Sequence, residues 1–284
     1  MPVPPHAFGS WLFVPGDDPK KLNKALESNA DVVIFDLEDA VSAGRKDIAR
    51  SLTFDALSRT SRPARYVRVN DLASGYTAKD VEDTIAGKPD GYVLPKCEGP
   101  HDIETLAEMI RRHGVSPLPR ILGICTETVR GVRNLMRMDW EHPMLVGLAW
   151  GGEDLQANLG ARSNRSAGGG YASPFALARD LMLFAARDAN VLAIDAVFTD
   201  FRNELGLTQE TEAAKTLGFD GKMAIHPGQI GPIHNALKPG QSEREWAAKV
   251  VALLEASETG VAQLDGKMLD RPHLKLAEQI LARS

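Results

Sequence analysis

Eight short apolar runs, each followed by a helix-patterned segment, in one chain of 284 residues predict an α/β fold, a closed (β/α)8 TIM barrel with a C-terminal helical extension. The runs are "WLFVPG" near Trp11, "DVVIFDLED" from Asp31, "RYVRVN" from Arg65, "GYVLPK" from Gly91, "RILGICTE" from Arg120, "MLVGLAW" from Met144, "LAIDAVF" from Leu192 and "KMAIHP" from Lys222. They are rich in Val, Ile and Leu, as parallel strands buried on both faces are. An open doubly wound sheet shares this alternation, but a count of eight at this length favours closure.

The intervening segments carry helix signals. In "HDIETLAEMIRRHG", Ile103, Leu106, Ala107 and Ile110 share one face and Gly114 ends the run. "SPFALARDLMLFAARDAN" opens with Ser173 as the expected cap and Pro174 at the first helical position. "SNRSAGGGYASP" is the one stretch that reads as flexible. Past the eighth strand, about 55 residues exceed the single helix a barrel needs to close. There "SEREWAAKVVALLEAS" and "RPHLKLAEQILARS" read as helices around a loop or hairpin in "ETGVAQLDGKMLD". The expected division is a barrel over residues 1–235 and a helical extension over 236–284.

Composition narrows the function classes. Hydrophobic residues make up 43% and charged residues 25%, the balance of a globular protein, and the net charge of −5 with no basic run argues against nucleic acid or anionic membrane as partner. The two cysteines, Cys97 and Cys125, form no CxxC pair, so neither a zinc motif nor a disulfide framework is expected. No apolar run reaches the roughly 18 residues of a membrane span. "MPVPPHAFGS" lacks a basic region followed by an apolar stretch, so no signal peptide and a cytoplasmic location are expected.

Barrel enzymes work at the C-terminal ends of their strands, and this chain places ionisable residues there. The exits carry Asp17 and Asp18; Asp36, Glu38 and Asp39; Arg68 and Asn70; Lys96; Glu127; Glu153 and Asp154; and His226. Each has a plain structural reading beside the functional one. Asp18 before Pro19 caps a helix. Asp36, Glu38 and Asp39 suit a salt-bridged strand end, and Lys96 a solvated loop. Glu127 and Asp154 suit first-turn helix acids, and His226 a packed core histidine. Arg68, alternating with Val67 and Val69, points opposite to them, either into the barrel or out toward the helix layer, and an inward Arg needs an anion. Jointly, Glu127 and Asp154 exit adjacent strands at one mouth, where two carboxylates with room for water suit a hard cation such as Mg²⁺. Gly151 and Gly152 would give a tight turn whose amides, with the following helix start, hold a substrate carboxylate.

The segments "SWLFVPGDDPKKLNKAL", "ADVVIFDLEDAV", "RYVRVN", "GYVLPK", "ICTETVRG", "VGLAWGGEDLQANLG", "KMAIHPGQI" and "DGKMLDRPHLKLAEQIL", in that order, resemble the citrate lyase β-subunit-like (CitE-like) lyases of the HpcH/HpaI aldolase/citrate lyase superfamily. The resemblance implies a barrel, a homotrimer or dimer of trimers, and Mg²⁺ held by Glu127 and Asp154. It implies that Arg68 binds substrate near the reacting carbonyl, that Glu38 and Asp39 organise water around the metal, and that Lys96 stands behind them. Coenzyme A would enter past His226-Pro227 and Lys20 or Lys21. Asp270, in "MLDRP", would reach a neighbouring subunit's site as acid/base, although an Asp before a Pro-containing helix start is also an ordinary cap.

The implied activity is reversible cleavage of a 3-hydroxyacyl thioester (citryl-, malyl- or citramalyl-CoA type) into an acyl thioester and an α-oxo acid. Two alternatives stand beside it. A class II pyruvate-dependent aldolase acting on free hydroxy-oxo acids would carry a histidine after the second strand, where "FDLEDAVSAGRKD" has none. A non-catalytic barrel binding acyl-CoA or metal would not need Glu127, Asp154 and Arg68 together.

Overall fold

The computed structural model describes residues 9–257 and 259–282. The opening segment read above for targeting lies outside them through residue 8. Eight strands close into a parallel barrel: β1 (Gly9–Pro15), β2 (Val32–Asp36), β3 (Ala64–Arg68), β4 (Gly91–Leu94), β5 (Arg120–Ile124), β6 (Leu145–Ala149), β7 (Leu192–Asp195) and β8 (Gly221–Ala224). Each pairs with its sequence neighbour, and β8 returns to β1. All eight apolar runs are therefore barrel strands. The interior is filled by alternate residues, among them Trp11, Val32, Ile34, Tyr66, Val93, Leu122, Ile124, Leu192, Ile194 and Met223. That is the layered packing of a filled barrel rather than a pore.

Register sets which polar groups top this core. Asp36 stands opposite Arg68 across β2 and β3, and each continues the inward row of its strand after Ile34 and Tyr66. Ile124 stands opposite Ala149 across β5 and β6, so the chain leaves both strands at one level just before Glu127 and Asp154.

The barrel helices are α1 (Pro19–Leu26), α2 (Lys46–Leu57), α3 (Thr77–Thr84), α4 (Pro100–Arg111), α5 (Val129–Asn134), α6 (Gly152–Leu159), α7 (Ser173–Asp188) and α8 (Glu204–Leu217). Asp18 caps α1, accepting from the Lys20 and Lys21 amides. Helix α4 buries Ile103, Leu106, Ala107 and Ile110, and Gly114 follows it in the left-handed region at φ 63°. The expected cap of α7 shifts by one residue. Ala172 is the extended N-cap, and Ser173 is already helical with no side-chain capping bond. The segment between α6 and α7 is bridged at Arg165–Tyr171, with the guanidinium 3.7 Å from the Tyr171 ring centre.

The chain divides into two compact units, Met1–Ile233 and His234–Ser284. Helix α9 spans Ile230–Leu237. The second unit holds α10 (Gln241–Glu255), an antiparallel hairpin of β9 (Ala262–Leu264) and β10 (Lys267–Leu269), and α11 (Arg271–Ala282). Asp265 and Gly266, both at positive φ, form the hairpin's two-residue turn, as an Asp-Gly pair favours. Ala247, Val250, Leu254, Leu269 and Ala277 give the unit a small core of its own. Among the described residues no helix is long and apolar enough to cross a membrane.

Candidate active site

A cavity of about 410 Å³ opens at the C-terminal ends of the strands, lined by Asp36, Asp39, Arg68, Glu127, Gly151, Gly152, Glu153 and Asp154 over a floor that includes Phe13, Ile124 and Met223. Arg68 enters over Phe13, its guanidinium 4.9 Å from the ring centre. Its first anions are the chain's own acids. Nε and Nη2 donate to the two Asp36 oxygens at 2.7 Å each, and Nη1 lies 2.9 Å from Glu38 Oε2. Such a two-point pair fixes the guanidinium plane. Burial opposes ionisation of Asp36, yet the charge and bonds of Arg68 outweigh it and hold the carboxyl below its ordinary range. Arg68 stays protonated well above its usual range.

Glu38 is buried, and burial raises its pKa against the pull of Arg68 and Lys96. Lys46 fixes the backbone beneath it, donating at 2.7 Å to the carbonyls of both Leu37 and Glu38. Asp39 remains exposed at the cavity edge.

Lys96 is not the solvated loop lysine its sequence allowed. It sits in the left-handed region at φ 49°, a conformation a side chain adopts only where its surroundings impose it. Its amide donates to Glu127 Oε2 at 2.6 Å, its ammonium bonds Glu38, and Nζ lies 3.8 Å from both Asp39 Oδ2 and Asp154 Oδ1. Four acids from three strand exits thus meet one lysine.

Glu127 is only 5% exposed and precedes, rather than opens, α5; Thr128 caps that helix. Its carboxyl is pushed up to about 8, chiefly by burial, with the negative charges of Asp154 and Glu38 adding to it against Arg68 and the Lys96 amide. Asp154 lies in the first turn of α6, so its sequence reading as a helix acid also holds.

The glycines act through space rather than dihedral freedom. Gly151 has φ −122° and ψ 120°, extended backbone open to any residue. A Cβ there would fall 2.8 Å from Glu127 Cγ and 3.1 Å from its Oε1. Gly151 is therefore the gap into which the Glu127 carboxyl fits. The expected tight turn is replaced by direct entry into α6, with Gly151 as N-cap.

His226 is exposed, which removes the core reading. Its Nδ1 accepts from the Gly228 amide at 3.0 Å and its ring stacks on Phe201 at 5.2 Å, while its neighbour Ile225 lines the cavity. Lys20 and Lys21 are exposed at the start of α1. Asp270 belongs to the second unit, where its Oδ1 meets His273 Nδ1 at 2.6 Å.

Sequence reading missed Phe13, Lys46 and Trp150 as parts of the site. Trp150 stands in the sequence between a strand and two glycines, but nothing in the pattern says that it borders the cavity.

Among the described residues no group of three or more His, Cys, Asp or Glu side chains has the arrangement of a metal cage. A hard cation does not need one, since Mg²⁺ keeps several waters and takes one or two carboxylates. The donor set fits that mode: two oxygen-bearing acids from adjacent exits beside an open cavity, one of them disfavoured as an anion chiefly by its burial.

Residues 9–227 match the family model described as HpcH/HpaI aldolase/citrate lyase. The citrate lyase subunit beta of Escherichia coli K12 is 36% identical, over 97% of this chain and 92% of its own length. The (3S)-malyl-CoA thioesterase of Cereibacter sphaeroides KD131 is 35% identical, over 98% and 95%. The crystal structure of CitE from Mycobacterium tuberculosis in complex with magnesium, acetoacetate and coenzyme A superposes with a TM-score of 0.82 at 34% identity, covering 98% of each chain. With the barrel, the acid-rich strand exits and these matches in hand, the chain belongs to the HpcH/HpaI aldolase/citrate lyase family.

Proposed function

We propose that this protein is a Mg²⁺-dependent carbon–carbon lyase that reversibly cleaves a 3-hydroxyacyl thioester to an acyl thioester and an α-oxo acid, with Glu127 and Asp154 as metal ligands. One observation carries the reading: two carboxylates from adjacent strand exits share a cavity with an inward arginine. The magnesium, oxo acid and coenzyme A named with the M. tuberculosis relative support the same ligand classes here. A bound Mg²⁺ would supply Lewis-acid polarisation of the oxo-acid oxygens.

The chain's residues carry the rest. Arg68 has five N–H donors. Two are bonded to Asp36 while Nη1 pairs with Glu38 by charge alone, so three are not hydrogen-bonded within the site and can serve the substrate oxygen on which charge develops. Asp36 keeps the guanidinium from rotating, so the donors are oriented before substrate arrives. Glu38 and Asp39, joined through Lys96, order water at the rim. The Gly151 amide is taken by Thr126 Oγ1 at 2.9 Å, so of the two glycines expected to bind the substrate carboxylate only Gly152, at the positive end of α6, offers its amide. Lys96 supports Glu127 through its amide, and His226 borders the path of the thioester carrier. A base takes the 3-hydroxyl proton; the carbon–carbon bond breaks, the hydroxyl carbon becomes the oxo-acid carbonyl, and the electron pair enters the thioester enolate, which is then protonated. Asp270, delivered by a neighbouring subunit of a homotrimer or dimer of trimers, is the acid/base in this reading.

A panel of citryl-, malyl- and citramalyl-CoA assayed with Mg²⁺ tests it. The expected result is metal-dependent release of an oxo acid with an equal amount of acyl-CoA. Cleavage of free hydroxy-oxo acids but of no thioester would point to the pyruvate aldolase, and free coenzyme A without an oxo acid would point to hydrolysis. Binding without turnover on every thioester would leave the non-catalytic barrel.

A further inference from the structure

Beneath the site lies a buried ionic cluster that the proposed chemistry does not use. Asp195, at the end of β7, is fully buried. Its Oδ1 accepts from Trp150 Nε1 at 2.7 Å and Arg179 Nε at 2.9 Å, and its Oδ2 from Lys222 Nζ at 2.8 Å. Lys222, also fully buried, donates further to the Ala196 carbonyl at 2.8 Å and Glu210 Oε1 at 2.9 Å. Stability is a weak reason for such a cluster, because well-packed apolar side chains commonly serve a core as well or better.

Its outlet is Trp150. One edge of the indole is held by Asp195, and Tyr171 packs edge-on at 4.6 Å and 81°. The far edge meets the start of α6: a Cβ on Gly152 would lie 3.2 Å from Trp150 Cζ3 and 3.4 Å from Cη2. Two residues further along the same helical turn stands Asp154. Trp150 is fully buried, and it is one of the residues that border the cavity.

We infer that Asp195 and Trp150 are positioning residues: the buried carboxylate fixes the indole, and the indole sets where α6 begins and so where the Asp154 carboxylate stands. The inference rests on the metal reading above and concerns residues that do not touch the ion. Groups hydrogen-bonded to a metal ligand contribute about 10–100-fold to metal affinity; Trp150 acts one contact further out, through the start of α6, so the effect expected here is at the lower end of that range.

Binding of Mn²⁺ to the full-length protein, followed by electron paramagnetic resonance with thermal unfolding alongside, separates the roles. Trp150→Phe keeps an aromatic ring but removes the bond to Asp195. It is expected to bind Mn²⁺ about tenfold more weakly while remaining folded. A purely structural tryptophan would lower the unfolding temperature and leave Mn²⁺ affinity at the parent value, which overturns the inference. Asp154→Asn is the control: if it loses Mn²⁺ while Trp150→Phe binds as the parent does, the positioning role alone falls. If Asp154→Asn itself binds as the parent does, the metal reading falls and takes the positioning role with it. Should Trp150→Phe not fold, Gly152→Ala presses on the same ring without breaking a hydrogen bond. It is expected to weaken Mn²⁺ binding likewise, and parent-like affinity overturns the inference.

Discussion

At the scale of single residues, Asp154 and Asp195 are two aspartates with opposite dependencies. The Asp154 side chain is 35% exposed and sits at a helix start. Its charge contributes no more than about 1 kcal/mol to folding through the helix dipole. Asp154→Asn is therefore expected to unfold within a few degrees of the parent while losing Mg²⁺-dependent turnover; turnover that persists at limiting Mg²⁺ would remove Asp154 from the ligand set. Asp195 is buried among cations. Burial opposes its ionisation, but Lys222 and Arg179 outweigh it and hold the carboxyl at about 2. A carboxyl depressed in the folded state stabilises above its unfolded pKa, and that stabilisation is lost as pH falls through the folded value. The window here runs from about 4 down to about 2 and the contribution is about 2 kcal/mol. Urea unfolding of the parent and Asp195→Asn at stepped pH checks the sign: the gap in stability should be widest near pH 6 and narrow below about 4.

At the scale of elements, Gly151 at the start of α6 differs from Gly160 at its end. Gly151 is held by space, and Gly160 by conformation: it ends α6 at φ 67° with open space where a Cβ would stand. Gly160→Ala should cost about 1 kcal/mol of stability and leave activity unchanged. Gly151→Ala meets no backbone penalty but forces the Glu127 side chain to move, at about 1–3 kcal/mol, and should abolish metal-dependent activity. Comparing activity at matched folded fraction distinguishes the two. The same contrast shows how far sequence reading reaches. All eight strands were legible, because a continuous apolar run between Gly- or Pro-marked helices has few other uses in a chain of this length. The Asp18 cap was legible because it is local chemistry; the Asp-Gly turn is equally local, yet the segment was read only as a loop or hairpin. The reason for Gly151 was not legible, because its constraint comes from Glu127, 24 positions earlier and past the end of another strand. Lys96 was likewise opaque: its left-handed backbone follows from contacts with Glu127 and Glu38, which no local pattern contains.

At the scale of the whole molecule, the candidate site is rich in acids that face a cation and poor in an unengaged base. Glu38 is committed to Arg68 and Lys96, Asp36 to Arg68, and Glu153 to Asn164; Asp39 stands 3.8 Å from Lys96, and Glu127 and Asp154 are assigned to the proposed metal. A proton acceptor brought by another copy of the chain would complete the set, and Asp270 in the second unit is the candidate. Its pairing with His273 is compatible with a plain structural role, so turnover by Asp270→Asn alone distinguishes only whether the residue matters. Mixed oligomers distinguish where it acts. Asp154→Asn keeps its tail intact and Asp270→Asn keeps its metal site intact, and each alone is expected to be inactive. In a closed ring whose sites each combine one chain's barrel with the next chain's tail, random co-assembly at equal amounts makes roughly one site in four whole, since half the barrels and half the tails are intact. Co-expressed and co-purified oligomers should thus recover roughly a quarter of parental kcat with a parental KM. If Asp270 serves its own chain, every site in the mixture carries one lesion and no activity returns. Active Asp270→Asn homo-oligomers would instead reduce the residue to a partner of His273 at the start of α11.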